Sequence, residues 1–386
     1  MTQSIYLLIE FLDELVFGAV SAVIPVLQQD FQLNYLQIGI LLSVPGYLSI
    51  FIEPVLGILS NTWQRRRLIL GGGIFFMASL LLTAASRSFE LLLFSFILFY
   101  PASGAFVSLS QTALMDKQPQ RREQNMARWT FAGSLGVVLG PLALGAALHI
   151  GLGWRGLHLV LAALALAALL LGIRYIHPPR INPEDQEPAL SPAAFLDGLK
   201  SAITTLRRPN VLRYMLLLEF ADLMLDILLA FLALYFVDVV GVSPQVAVIA
   251  VAIWTAVGLL GDFLLIPLLE RVSGLAYLRF SVIVKLILFP AFLLVPGLTF
   301  KLILLGLLGL FNAGWYAILK AELYKTIPDQ SGTMLVLDNL SAIIGKSLPL
   351  AIASLAYFFG LQAAMWAFLA GPLALLIGLP RKNRHA

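Results

Sequence analysis

The sequence predicts an all-α integral membrane protein, with twelve transmembrane helices arranged as two six-helix pseudo-repeats. Three observations predict it. Of the 386 residues, 60% are hydrophobic and only 12% are charged, against about 45–50% and about 25% in soluble domains. The apolar residues gather into twelve long runs, and a bilayer-spanning helix takes roughly 20 such residues. A set of acidic and small residues also recurs at one fixed offset between the first six runs and the last six. The composition excludes a soluble multi-domain enzyme. The runs are continuous rather than alternating, which excludes a membrane β-barrel, and in lipid a helix is then the way to satisfy the backbone.

In chain order the spans are expected at Ser4–Leu27, Tyr35–Leu59, Leu68–Ser86, Phe89–Leu114, Ala127–Ile150 and Gly156–Ile176. The second six are expected at Val211–Val240, Val246–Leu269, Tyr277–Val295, Leu298–Leu319, Met334–Tyr357 and Ala363–Leu379. The first run lacks a basic start and carries Glu10, Asp13 and Glu14, so it is a permanent helix rather than a cleaved signal. Residues 177–210, rich in Pro and charge, separate a first bundle (1–176) from a second (211–386) and form a cytoplasmic linker. Part of this linker, Pro192–Leu206, has the pattern of a short surface helix.

With the amino terminus inside, 20 of the 25 Lys and Arg residues fall on the cytoplasmic side, including Arg65, Arg66 and Arg67. Only Arg87, Arg155 and Lys301 fall outside, so both termini are expected in the cytoplasm. The net charge of +4 is therefore a topology signal and not a sign of nucleic-acid binding. There is no cysteine, and the four histidines lie far apart in sequence. Thiolate chemistry is excluded, and no metal or cofactor is expected.

The halves repeat at an offset of 209. Glu10 and Asp13 of span 1 map onto Glu219 and Asp222 of span 7. Glu53 of span 2 maps onto Asp262 of span 8, and Gly136 of span 5 onto Gly345 of span 11. Charges inside a membrane are expensive, so a shared register of carboxylates is informative. Two parallel repeats of six helices suit a transporter whose site lies between the repeats.

At this point the chain resembles the major facilitator superfamily over essentially its whole length. The loop after span 2 runs from Gly57 through Leu59, Asn61, Arg65 and Arg66 and is similar to the family's GxLaDrxGrk signature, with Asn61 in place of the aspartate. The stretch Ala113…Asp116…Pro119…Arg122… is similar to the family's pattern after span 4, though displaced in part. Gly136, Gly140, Pro141 and Gly145 in span 5 resemble the GxxxGPxxGG motif of solute exporters. Glu10 to Glu14 and Glu53-Pro54 are loosely similar to fosmidomycin-resistance-type exporters. The resemblance implies a gate in which Arg65 pairs with Asp116 and Asn61 faces the start of span 11. Asn61 can only hydrogen-bond there, so this latch should be weaker than one made by an aspartate. Independently of any family, glycines four apart let helices approach closely, and Pro141 removes a backbone donor.

Glu10, Asp13 and Glu14 fall on one side of span 1, and Glu219, Asp222 and Asp226 on one stripe of span 7. Glu53 and Asp262 lie roughly 12 Å inside the inner ends of spans 2 and 8. A carboxyl group at low dielectric can exchange a proton near neutrality, as proton coupling requires, and an ionised one attracts a cationic solute. The alternative is permanent pairing with Lys or Arg, or a place near the interface. Lys346, roughly 20 Å into span 11, is expected to pair with Asp222 or Asp226. Lys285, about six residues into span 9, is expected to snorkel. If the resemblance holds, spans 4 and 10 line the cavity. Tyr100, Ser108 and Gln111 on span 4, and Asn312, Trp315 and Tyr316 on span 10, are then candidates for contacting substrate.

The expected function is secondary active transport, as a proton-coupled antiporter exporting small amphipathic or cationic compounds by alternating access. A proton-coupled importer of a nutrient, or a lipid or lipid-precursor flippase on the same fold, are the alternatives. An enzyme is not expected: no Ser/His/Asp set, HExxH or phosphate loop is present. The expected partners are protons, a small-molecule substrate and the lipid bilayer, without nucleic acid. The chain is expected to act as a monomer in a bacterial inner or plasma membrane.

Overall fold

The computed structural model describes residues 2–60, 65–117, 121–176, 204–205, 207–326 and 331–380. It leaves undescribed the side chains at 2, 53–54, 57–60, 116, 122–123 and 331–341. The described chain is helical, and it forms the twelve-span fold. Spans 1 to 6 are Thr2–Phe31, Tyr35–Ser60, Arg65–Ala85, Phe89–Ser103 continuing to Lys117, Arg122–His149 and Gly153–Tyr175. Spans 7 to 9 are Pro209–Val239, Pro244–Leu269 and Gly274–Leu294. Spans 10 to 12 are Leu298–Thr326, Ser331–Phe359 and Leu361–Gly378. Among the described residues eleven helices are long and apolar enough to cross a membrane. The twelfth is span 1, which carries the acids Glu10, Asp13, Glu14 and Asp30. Large side chains such as Phe51, Phe75, Ile287 and Ile377 are exposed, as lipid rather than water would allow.

The chain divides into two compact units. One is Met1–Ala193 with Ser243–Ile249, and the other is Ala194–Val242 with Ala250–Ala386. In the first unit, spans 1, 3 and 6 are tied at one end through Asp30. Its carboxylate accepts from Trp154 Nε1 at 2.7 Å and Arg155 Nη1 at 2.6 Å, while Arg155 also donates to Ser86 O at 3.2 Å. At the other end Arg66 donates to Ile176 O and Ile173 O at 2.5 and 2.8 Å, satisfying carbonyls that the end of span 6 leaves open. In the second unit Arg213 of span 7 does the same for Gly378 O of span 12. Lys301 is buried and donates to Tyr235 Oη at 2.8 Å and to Phe292 O at 2.7 Å, tying spans 7, 9 and 10 together.

Among the described residues four spans depart from regular α-helix, span 12 through a 3-10 turn at Ala367–Leu369. Span 4 contains a π-turn at Gly104–Ser108. Span 7 contains π-turns at Leu223–Ile227 and Tyr235–Val239. Span 10 is interrupted between Leu310 and Trp315. Such interruptions cost regular hydrogen bonds and concentrate at functional sites.

Candidate functional site

In the first unit the site is built where span 1 crosses span 5. A Cβ on Gly136 would stand 2.5 Å from Phe11 O, and one on Gly140 would stand 2.5 Å from both Ala19 N and Leu15 O. The span 5 glycines therefore give direct backbone contact between the two helices. Gly140→Val should drive the helices apart and cost about 3 kcal/mol or more, as overpacking combined with backbone displacement. Gly71→Ala, at a position with nothing within 4 Å, should be neutral or slightly stabilising. Thermal unfolding of the purified variants measures both effects.

That close crossing encloses the acids of span 1. Glu10 is buried beside the Trp129 side chain. Its Oε1 lies 2.6 Å from where a Cβ on Gly133 would sit. Gly133 was not singled out by any motif. It is one helical turn before Gly136, and only the crossing geometry shows that it makes the notch for Glu10. Asp13 lies beside the hydroxyl of Ser103 of span 4, immediately before the π-turn. Its Oδ1 is fully buried and has no hydrogen-bond partner among the described residues. Glu14 Cγ packs 3.3 Å from the same Gly133 position.

In the second unit span 7 crosses span 11 in the corresponding way. Glu219 lies directly against Gly345, as Glu10 lies against span 5. The π-turn begins right after Asp222 and contains Asp226, and Asp226 acts electrostatically on Asp222. Lys346 of span 11 acts electrostatically on both Asp222 and Asp226, and Glu219 acts on Asp222. The halves thus differ. The second has a cation among its acids, whereas Asp13 is held only by a hydroxyl among the described residues.

The remaining candidates are placed less uniformly. Asp262 of span 8 is exposed and accepts from Gly314 N at 3.2 Å. Tyr100 and Gln111 are half-buried and Ser108 is exposed, but the intervening Gly104 is buried. The π-turn rotates the face, so the stripe read from helical spacing is not continuous. Tyr316 is exposed, with Lys320 5.9 Å from its ring. Trp315 is a correction: it is wholly buried, donates to Ser281 Oγ at 2.8 Å and carries Lys285 Nζ at 4.1 Å over its ring. It is a packing residue between spans 9 and 10, not a cavity-lining one. Lys285 is another correction. It does not snorkel but is fully buried, with its Nζ also 5.7 Å from the Trp254 ring. In the first half the positions corresponding to Lys285 and Trp315 are Phe76 and Phe106, whose rings lie 5.7 Å apart. The second half therefore puts a cation–π contact where the first puts two apolar rings. Asn61 and the side chains of Glu53 and Asp116 lie outside the described residues, as does nearly all of the linker. The expected Arg65–Asp116 gate falls with them.

A family model described as Major Facilitator Superfamily matches residues 6–348. The chain is similar in fold to a crystal structure of a bacterial homolog of the human lysosomal transporter Spinster, inward-facing and unoccupied. The two share 20% identity over 98% of this chain and 93% of that one, with a TM-score of 0.72. It is also similar to a crystal structure of the nucleoside transporter NupG, with 15% identity over 98% of each chain and a TM-score of 0.76. Twelve apolar spans, acids at the span 1–span 5 and span 7–span 11 crossings and a family match over most of the length lead to one assignment. The chain belongs to the major facilitator superfamily and is a multi-pass membrane transport protein.

Proposed function

We propose that this protein is a proton-coupled antiporter that exports small amphipathic or cationic organic compounds by alternating access. The observation that carries this reading is the set of membrane-embedded acids at the span 1–span 5 and span 7–span 11 crossings, above all Asp13, whose buried Oδ1 has no hydrogen-bond partner among the described residues. An unpaired buried carboxylate is costly, and a proton or a cation removes that cost. Proton and cationic solute then compete for the same groups, so one leaves as the other binds, and the two travel in opposite directions. Glu10, Glu14, Glu53, Glu219, Asp222, Asp226, Asp262 and Lys346 make up the wider coupling set. Asn61, Arg65, Asp116, Gly136, Gly140 and Pro141 make up the gate. The export direction rests on the likeness of span 5 to exporter motifs, and the fosmidomycin-resistance-like subtype on span 1.

The test uses proteoliposomes carrying a pH gradient and a fluorescent lipophilic cation such as ethidium. Efflux should follow the gradient and should itself drive proton flux. Equal rates with the gradient collapsed, or efflux without proton movement, would replace this reading with a flippase or a facilitator. Vesicles of known orientation decide between export and nutrient import.

A further inference from the structure

Span 10 is α-helical over Leu298–Leu310 (13 residues) and again over Trp315–Thr326 (12 residues). At 1.5 Å per residue the interruption lies about 20 Å from either end of the span, near mid-depth. Irregular backbone at that depth is tolerated where it is buried in protein or lines a polar site. Inside the interruption, Asn312 N–H bonds to Gly309 O at 3.0 Å and Trp315 N–H to Asn312 O at 3.2 Å. The carbonyls of Leu308 and Phe311 thereby lose the N–H groups that a regular α-helix would give them. Gly314 has φ +71, and its N–H turns to Asp262 Oδ1 on span 8.

Two side-chain oxygens meet this turn. Asp262 spends one oxygen on Gly314 and keeps the other, and its side chain is accessible. Asn312 Oδ1 is buried and has no hydrogen-bond partner among the described residues. In the first half, the position corresponding to Asn312 is Ser103, whose hydroxyl lies beside Asp13. An amide oxygen, a carboxylate and released carbonyls are all acceptors, and they ask for a donor or a cation. Together they carry a single negative charge, which suits a monovalent rather than a divalent ion.

We propose that the interruption of span 10 is a binding site for a monovalent cation, held by the Asp262 carboxylate, the Asn312 amide oxygen and main-chain carbonyls of the interrupted turn. The cation is either inorganic, of sodium type, or the ammonium head of an organic solute. Unwound carbonyls at helix breaks serve this purpose in transporter architecture generally. Lys285 works against a second cation, but its ammonium is turned onto the Trp315 and Trp254 rings. The site shares Asp262 with the proposed coupling set, but its occupancy is read at equilibrium without a proton gradient.

Equilibrium binding is measured on the purified full-length protein at fixed pH and ionic strength, with no gradient, so that failure here is separable from failure of antiport. One arm uses radiolabelled sodium, and the other uses thermal stabilisation by ethylammonium against N-methylglucamine. A saturable response to sodium alone identifies an inorganic ion, and one to ethylammonium alone identifies a solute head group. Asp262→Asn and Asn312→Leu should each weaken binding by on the order of tenfold. Asn312→Asp, which keeps an oxygen and adds a charge, should tighten it and serves where the others fail to fold. Lys285→Met, which removes a competing charge, should also tighten it. No saturable response in either arm, wild-type affinity in Asp262→Asn and Asn312→Leu, or weaker binding in Lys285→Met would overturn the proposal.

Discussion

Asp13→Asn is expected to reduce gradient-driven transport to the level of empty liposomes, while expression and thermal stability stay close to wild type. The Ser103 hydroxyl lies beside Asp13, and an asparagine oxygen can accept from it as a carboxylate can. Asp13 Oδ1 has no hydrogen-bond partner to lose among the described residues. The change should therefore alter stability by no more than about 1 kcal/mol. What disappears is the ability to carry a proton. Asp222→Asn should show the same loss for the same reason, at the crossing of the second half. A gradient-driven rate near wild type in either variant would remove that residue from the coupling set, and transport against pH in proteoliposomes measures it directly.

Lys346→Ala is expected to lower thermal stability at neutral pH. The loss should be smaller than the cost of breaking a fully buried ion pair, about 3–5 kcal/mol, because Lys346 is only half-buried and Asp226 is exposed. The ammonium acts on two carboxylates at once, Asp222 and Asp226, and both lie within one π-turn's reach. Its loss would leave like charges facing each other without compensation. Adding Asp226→Asn should recover a large part of the loss, and acidification should do the same, since a proton takes over the neutralising role. Independent, additive effects of the two substitutions in thermal unfolding would show that Lys346 does not hold these acids.

The spans were readable because lipid imposes one requirement, enough apolar length to cover a self-satisfied backbone, and composition records that length directly. The repeat was readable because intramembrane acids are too costly to recur in one register by drift. The breaks were harder. Span 10 reads as one apolar run, yet it stops at Leu310 and restarts at Trp315. The Asn-Ala-Gly sequence at 312–314 was the available signal, and it is lost in an average over twenty residues. The π-turns of spans 4 and 7 leave no such trace, and they shift the faces on which Ser108 and Asp226 emerge.

Sequence by itself determined the membrane class, the two sets of six spans, the acids they carry and the glycines that let spans 1 and 5 touch. Tertiary structure alone decided what each polar group meets. Gly133 becomes a notch only because Glu10 crosses it. Lys285 lies too deep to snorkel because its stem runs between spans 8, 9 and 10 to two tryptophan faces, and Trp315 is buried for the same reason. Asn312 Oδ1 is buried without a hydrogen-bond partner among the described residues because it sits in the turn that interrupts span 10. Apolar length is a property of one helix and is written along the chain. Burial and pairing are properties of helix crossings, and residues far apart in sequence supply each side of a crossing.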